Sequence, residues 1–211
     1  MRPAECLLGL DLPGGWRVDS IIHRPPTSTG GKFSVGYLVI NTDGRQAYLK
    51  ALDLSIAFQQ EDWPRALEDL LKAFNFERTL LAQCKDKRLR RIVMALEDGT
   101  VQVPGNLEDF GKVPYLIFEL AEGDIRKEVG KWQTFDVAWA LRSLHQSAVG
   151  LEELHLAGIA HQDLKPSNVL VFPVEGTKVS DLGRASQMGA SSPNDGFAIP
   201  GDRGYAPPEQ W

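Results

Sequence analysis

The chain reads as an α+β protein, with an antiparallel β-sheet and one main helix in its first half and a helix-led second half. Three observations predict this. Apolar and polar residues alternate between Trp16 and Lys50 around a tight-turn signal, the period of half-buried strands. Apolar residues then recur at helical spacing from Leu67 to Cys84. A second, longer helical period runs from Asp136 to Leu156.

Taken in order, Trp16 to Ile22 alternates as the first strand, and residues 1–15 precede it as an N-terminal extension. Arg24 to Gly31 holds two prolines and two glycines and reads as a loop. Phe33 to Asn41, rich in Val, Tyr and Ile, is the second strand. Asp43-Gly44 tolerates the positive dihedral that a tight hairpin requires, so Ala47 to Lys50 returns antiparallel. Asp62 can cap the following helix, and Pro64 sits near its start, where a missing N–H costs little. Leu67, Leu70, Leu71, Phe74, Leu81 and Cys84 form its apolar side. Arg91 to Leu96 and Thr100 to Val103 read as two strands around a Glu97-Asp98-Gly99 turn, and Tyr115 to Phe118 as a buried strand. The helix from Asp136 keeps Val137, Leu141, Leu144, Ala148, Leu151 and the Leu154/Leu156 pair on one side, and Gly158 is its C-cap. Asn168 to Phe172 and Thr177 to Val179 are short strands around a turn at Glu175-Gly176. Ser186 to Pro200 is rich in Ser, Gly, Asn and Pro and reads as a mobile loop.

Of 211 residues, 43% are hydrophobic and 24% charged, the composition of a globular chain. A net charge of -5 argues against a nucleic-acid partner, because phosphate contacts need concentrated positive charge. The basic run Lys85 to Arg91 is short and interrupted. Two cysteines are too few for a disulfide scaffold, which points to a reducing compartment. The apolar runs are too short to span a bilayer, so no membrane segment is expected. Arg2, Glu5 and Asp11 make the first residues a poor signal peptide. A soluble, cytoplasmic protein is expected.

The chemistry concentrates in His161-Gln162-Asp163-Leu164-Lys165-Pro166-Ser167-Asn168, followed by Asp181-Leu182-Gly183. Phosphoryl transfer needs a carboxylate to orient a hydroxyl, oxygen ligands for Mg2+, and positive charge on the moving group. These two stretches hold all three. The order H-x-D-x-K-x-x-N and then D-x-G resembles the catalytic set of eukaryotic-type serine/threonine protein kinases, in a bacterial-like form. Tyr205 to Glu209 resembles that family's A-P-E box, with Pro207 at the alanine position. The resemblance runs from about residue 16 to the end of the chain.

The resemblance implies a protein-kinase-like two-lobe fold. Residues 16–118 would be the N-lobe, 119–123 the hinge and 124–211 a partial C-lobe, with the ligand in the crevice. It implies transfer of the γ-phosphate of ATP to Ser/Thr hydroxyls of a protein substrate, with Mg2+. Asp163 would orient the acceptor and take its proton. Lys165 would offset charge on the transferring phosphoryl group, and Asn168 and Asp181 would hold Mg2+. His161 reads as structural. On the nucleotide side, Gly31 and Ser34 match the second and third glycines of the glycine-rich loop, and Phe33 its aromatic tip. Lys50 matches the strand lysine that pairs the α- and β-phosphates, with Glu77 as its helix partner and Glu68 as the rival. Backbone groups of Glu119 and Ala121 match those that bond adenine, and Asp124 reads against the ribose. Lys165-Pro166 favours a protein acceptor over a small molecule.

The chain departs from the pattern further at Gln162, Leu182 and Asp202. Gln162 stands where loop-regulated kinases carry arginine, so a loop phosphate has less to grip. Leu182 replaces a phenylalanine. Asp202 replaces the threonine that bonds the catalytic aspartate and lysine in the family; it either repels Asp163 or pairs Lys165. The family's C-lobe continues past the A-P-E box, so an incomplete helical C-lobe is expected here. A partner or a missing C-terminal region would cover it. A catalytically inactive binding module and a small-molecule phosphotransferase are the competing readings.

Overall fold

The computed structural model describes residues 2–22, 33–105, 111–196 and 199–210. They divide into two compact units, Met1–Phe74 with Ala95–Leu120, and Asn75–Met94 with Ala121–Trp211.

The first unit is built on one antiparallel sheet. Its strands are β1 (Asp11–Leu12), β2 (Trp16–Ile21), β3 (Ser34–Asn41), β4 (Gln46–Leu52), β5 (Ala95–Gln102) and β6 (Lys112–Glu119). Their spatial order is β1-β2-β3-β4-β6-β5. Alternation sorts the faces. Ala47, Leu49 and Ala51 of β4 are buried in one core with Tyr37 and Val39 of β3 and Tyr115 and Ile117 of β6. Tyr48 and Lys50 fall on the opposite face of the same strand, where Tyr48 packs beside Phe118. Residues before Trp16 also enter this core: Ala4 and Leu7 are buried, and the Tyr37 hydroxyl donates to the Ala4 carbonyl at 2.7 Å.

The expected turn at Glu97-Asp98-Gly99 does not form. Those residues run straight through β5, with Asp98 opposite Leu116 and Gly99 opposite Tyr115. The glycine is there for contact, not for bending. A β-carbon at Gly99 would lie 2.5 Å from the Tyr115 hydroxyl oxygen, which crosses it.

Helix α1 (Trp63–Asp86) begins in the first unit and ends in the second. The Asp62 carboxylate accepts from the Arg65 N–H at 3.4 Å, the expected cap. Its later turns bury Glu77, Leu80, Leu81 and Cys84 at helical spacing, whereas Leu67, Leu70 and Leu71 are only half-buried. The rest of the second unit holds β7 (Gly123–Asp124), α2 (Ile125–Val129), α3 (Val137–Leu156), β8 (Ile159–Ala160), β9 (Val169–Phe172), β10 (Gly176–Val179) and β11 (Ser186–Gln187). Strands β10, β9 and β7 form one small sheet, and β8 pairs with β11.

Helix α3 has the expected span, and Asp136 caps it: its carboxylate accepts the Trp139 N–H at 2.9 Å. Its orientation corrects the hydropathy reading. Val137, Leu141 and Leu144 are 58%, 61% and 68% exposed, and the buried side is Ser143, Ser147, Gly150 and Leu154. The inner side is small because α3 lies against β10 and the backbone at Arg91. A β-carbon at Gly150 would lie 3.0 Å from both the Arg91 carbonyl oxygen and a Val179 methyl. Hydrogen bonds reinforce the choice: the Gln146 side-chain carbonyl accepts the Thr177 N–H at 2.8 Å and its hydroxyl at 3.0 Å.

The stretch from Ser186, expected as a loop, is tied down over its described part. Ser186 and Gln187 pair with Ala160 and Ile159. Ser192 and Asn194 are buried, and their side chains bond the Ala185 and Gly183 carbonyls at 3.2 Å each. Among the described residues no helix is long and apolar enough to cross a membrane.

Candidate active site

Helix α3 stops at Gly158, whose φ of 76° only glycine adopts readily and whose N–H reaches the His155 carbonyl at 2.9 Å. Strand β8 then delivers the chain to the loop from His161 to Asn168. Gln162 sits at φ 63°, a left-handed conformation that a non-glycine residue holds only where its neighbours fix it. The flanking residues hold it, because the Asp163 N–H donates to His161 Nδ1 across it, and its own side chain donates to the Ser186 hydroxyl at 3.1 Å.

His161 is buried and both ring nitrogens are engaged. Its Nδ1 accepts the Asp163 backbone N–H at 3.2 Å, so Nε2 carries the proton and donates to the Ser180 carbonyl at 2.9 Å. That is the neutral imidazole, and burial holds its pKa below the ordinary histidine value. The structural role read for His161 matches this geometry.

Asp163, Lys165 and Asn168 converge within one turn. Lys165 Nζ lies 3.0 Å from Asp163 Oδ2 and 3.3 Å from Oδ1. The Asn168 amide donates to the Asp163 carbonyl at 2.9 Å and to its Oδ2 at 3.2 Å. Both donations come from Nδ2, which leaves the Asn168 amide oxygen as an uncommitted hard donor. Lys165 and Asn168 are 6% and 5% exposed. Charged and polar groups are this deeply buried only where each finds partners.

Asp181 follows β10 at φ 65°, the second left-handed non-glycine of the site. Ser180 ties it to the loop: its N–H and hydroxyl both donate to the Asn168 carbonyl, at 2.8 and 3.0 Å. A β-carbon at Gly183 would lie 3.3 Å from Asp181 Oδ1 and 3.6 Å from Glu77 Oε2, so the Glu77 carboxylate stands beside the Asp-Leu-Gly turn. Glu77 is 5% exposed. Glu68, by contrast, lies on the surface and pairs with Lys72 at 2.7 Å, one helical turn on.

The segment from Gly201 closes over this loop. The Asp202 N–H donates to Asp163 Oδ1 at 2.6 Å, and Asp202 Oδ2 is 3.5 Å from Lys165 Nζ. Of the two outcomes expected for Asp202, pairing with Lys165 is the one observed. Gly201 must be glycine for this approach, because a β-carbon would strike the Gln162 carbonyl and come 2.8 Å from Asp163 Oδ1.

The nucleotide-side candidates are spread over the chain. Lys50 lies on central strand β4, opposite Gly36 of β3 and Leu116 of β6. Ser34 opens β3, and its buried hydroxyl has no hydrogen-bond partner. Phe33 is 42% exposed, and its carbonyl accepts the Asp53 N–H at 2.8 Å. Gly31 lies outside the described residues. Glu119 ends β6 opposite Ala47, and Ala121 follows in the connection to β7. Asp124 caps α2 by accepting the Lys127 N–H at 2.9 Å.

Sequence reasoning missed Ser180 and the steric demand at Gly201. The position of Ser180, directly before Asp181, was the available signal. For Gly201 the loop it must clear is distant in sequence, and no local pattern marks it.

A family profile described as protein kinase domain matches residues 29–210. The chain is 27% identical over 207 residues to the serine/threonine-protein kinase PknA of Mycobacterium tuberculosis, covering 96% of this chain and 43% of that one. It is 31% identical over 148 residues to a probable serine/threonine-protein kinase PknB of Corynebacterium glutamicum, covering 67% of this chain and 22% of the relative. A mitogen-activated protein kinase of Fusarium vanettenii is 35% identical over 97 residues, 46% of this chain and 27% of that protein. The chain thus spans less than half the length of these curated relatives.

Proposed function

The chain belongs to the protein kinase family, and on that premise we propose that it transfers the γ-phosphate of ATP to serine or threonine hydroxyls of a protein. The observation that carries this is the convergence of Asp163, Lys165 and Asn168 in one turn with Asp181 tied alongside. Asp163 takes the proton of the acceptor hydroxyl as its oxygen bonds the γ-phosphorus. The bond from that phosphorus to the bridging oxygen breaks, and ADP leaves. Lys165 offsets charge on the phosphoryl oxygens.

The donor set fits a hard divalent ion. Among the described residues no three His, Cys, Asp or Glu side chains cluster into a metal cage. Two oxygen ligands, the Asn168 amide and the Asp181 carboxylate, suit Mg2+, which typically takes one or two protein oxygens and completes its shell with phosphates and water. When bound it neutralises phosphate charge. Lys50 on β4 is the phosphate-pairing lysine in this reading. By sequence match, Gly31, Phe33 and Ser34 belong to the loop that covers phosphates in the family, and Glu119 and Ala121 to the stretch whose backbone bonds adenine. Cys6 and Cys84 are unpaired, which supports a cytoplasmic setting. The apolar outer side of α3 supports a covering partner or further chain.

Isothermal titration of the chain with ATP, with and without Mg2+, tests the binding half. Metal-dependent heat is expected, and Asp181→Ala should weaken it. Folded protein that gives no heat at millimolar ATP would overturn the assignment.

A further inference from the structure

Asp202 has no part in the roles assigned above, yet it touches both groups that carry them. Its backbone N–H donates to Asp163 Oδ1 at 2.6 Å. Its Oδ2 lies 3.5 Å from Lys165 Nζ. Its Oδ1 accepts the Gly204 N–H at 3.0 Å, which fixes how the carboxylate is turned. Gly201 presses the same segment onto Gln162 and Asp163.

In this arrangement both oxygens of Asp163 are taken. Oδ1 accepts from Asp202 N–H and Lys165, and Oδ2 from Asn168 and Lys165. To receive an acceptor hydroxyl, Asp163 must release one of these. Lys165 is the partner on a flexible stem. A buried ammonium that left Asp163 with nowhere to go would be strongly disfavoured.

We propose that Asp202 is a positioning residue: its backbone holds the Asp163 carboxylate, and its side chain gives the Lys165 ammonium an anionic seat independent of Asp163. This rests on the reading of Asp163 and Lys165 under Proposed function. Lys165 can then swing off Asp163 toward phosphate while remaining neutralised. The neutral isostere Asp202→Asn keeps an oxygen for Gly204 and the backbone N–H for Asp163, but removes the seat.

Two readouts test this. The first is the acetylation rate of Lys165 with acetic anhydride, followed by peptide mass spectrometry, which needs no turnover. Asp163→Asn should leave Lys165 protected within about twofold, and Asp163→Asn/Asp202→Asn should raise its acetylation about threefold or more, because the second anionic partner is then gone. The second is steady-state transfer. Asp202→Asn should lower kcat about tenfold with the KM for ATP within about twofold, and Asp202→Glu should recover part of the loss. A double variant acetylated no faster than Asp163→Asn overturns the proposal, as does an Asp202→Asn enzyme with wild-type kcat. If the wild-type chain itself transfers nothing, that counts against the base reading, and the acetylation result alone decides the seat.

Discussion

Helix α3 and the loop that follows it both invert the division of inside from outside that hydropathy predicts, for different reasons. The helix turns Val137, Leu141 and Leu144 to the surface and buries serines and a glycine. The loop buries a lysine, a histidine and an asparagine. Hydropathy alone predicts the reverse for both. The inner side of α3 is chosen by close approach to Arg91 and Val179 and by the Gln146–Thr177 bonds. The loop's polar groups, one of them charged, go inside because Asp163, Ser180 and Asp202 give each of them a partner. Steric fit and hydrogen bonding outrank polarity where they compete. The exposed apolar stripe of α3 is the remainder.

The contrast within α3 gives the largest expected effect. Leu154→Ala should destabilise the chain by about 2–5 kcal/mol, since Leu154 is fully buried and truncation leaves a cavity. Leu144→Ala should cost less than about 0.5 kcal/mol. Urea unfolding of both variants measures this, and equal losses would show that the helix is turned the other way in solution.

Gly201→Ala sharpens the loop side of the comparison. Its methyl group would displace Asp163 or Gln162, so transfer should fall about a hundredfold. The urea midpoint should change far less than in Leu154→Ala. Near-normal activity would mean that the Gly201 segment does not rest on the loop.

Acid should loosen the loop before the sheet. His161 is held neutral, with its pKa below 6.5 through burial first, against the Ser180 bond and the Asp181 and Asp163 charges that favour protonation. The unfolded chain therefore takes up a proton near pH 6.5 that the folded chain resists. This contribution is fully present above about pH 6.5 and is lost as pH falls toward the lower folded value. Unfolding midpoints at about pH 7.5 and about pH 5.5 should differ more for wild type than for His161→Gln. Equal differences would remove His161 as the cause.

The smallest effect concerns the stretch after Asp181. Gln162 Nε2 donates to the Ser186 hydroxyl at 3.1 Å, and Arg184 donates to the Asn194 side chain at 3.1 Å. These neutral acceptors already hold the segment, and an amide offers no guanidinium fork to a phosphate. Phosphatase treatment, checked by mass, should change initial rates by less than about tenfold. A larger fall, reversed by rephosphorylation, would make loop phosphate the organiser after all.

Much of this was legible in the sequence where a local period or a fixed spacing carries the information. The strands through Trp16, Leu38 and Leu49, the span of α3 and the Asp163–Asn168 loop are of that kind. Gly99 was misread because Asp-Gly signals a turn locally, while the Tyr115 ring that demands a bare α-carbon comes from another strand. The turned face of α3, the tether at Ser192 and Asn194, and the clearance at Gly201 all depend on partners far along the chain.

The most direct test is γ-phosphate transfer from radiolabelled ATP to a generic protein acceptor by the wild-type chain and by Asp163→Asn, with Mg-ATP affinity measured in parallel. If Asp163 is the acceptor-side carboxylate that Lys165, Asn168 and Asp202 hold in place, the variant should lose at least about a hundredfold in transfer. Its ATP affinity should stay within about threefold. Wild-type transfer by Asp163→Asn, or no transfer by a wild-type chain that binds Mg-ATP, would contradict it.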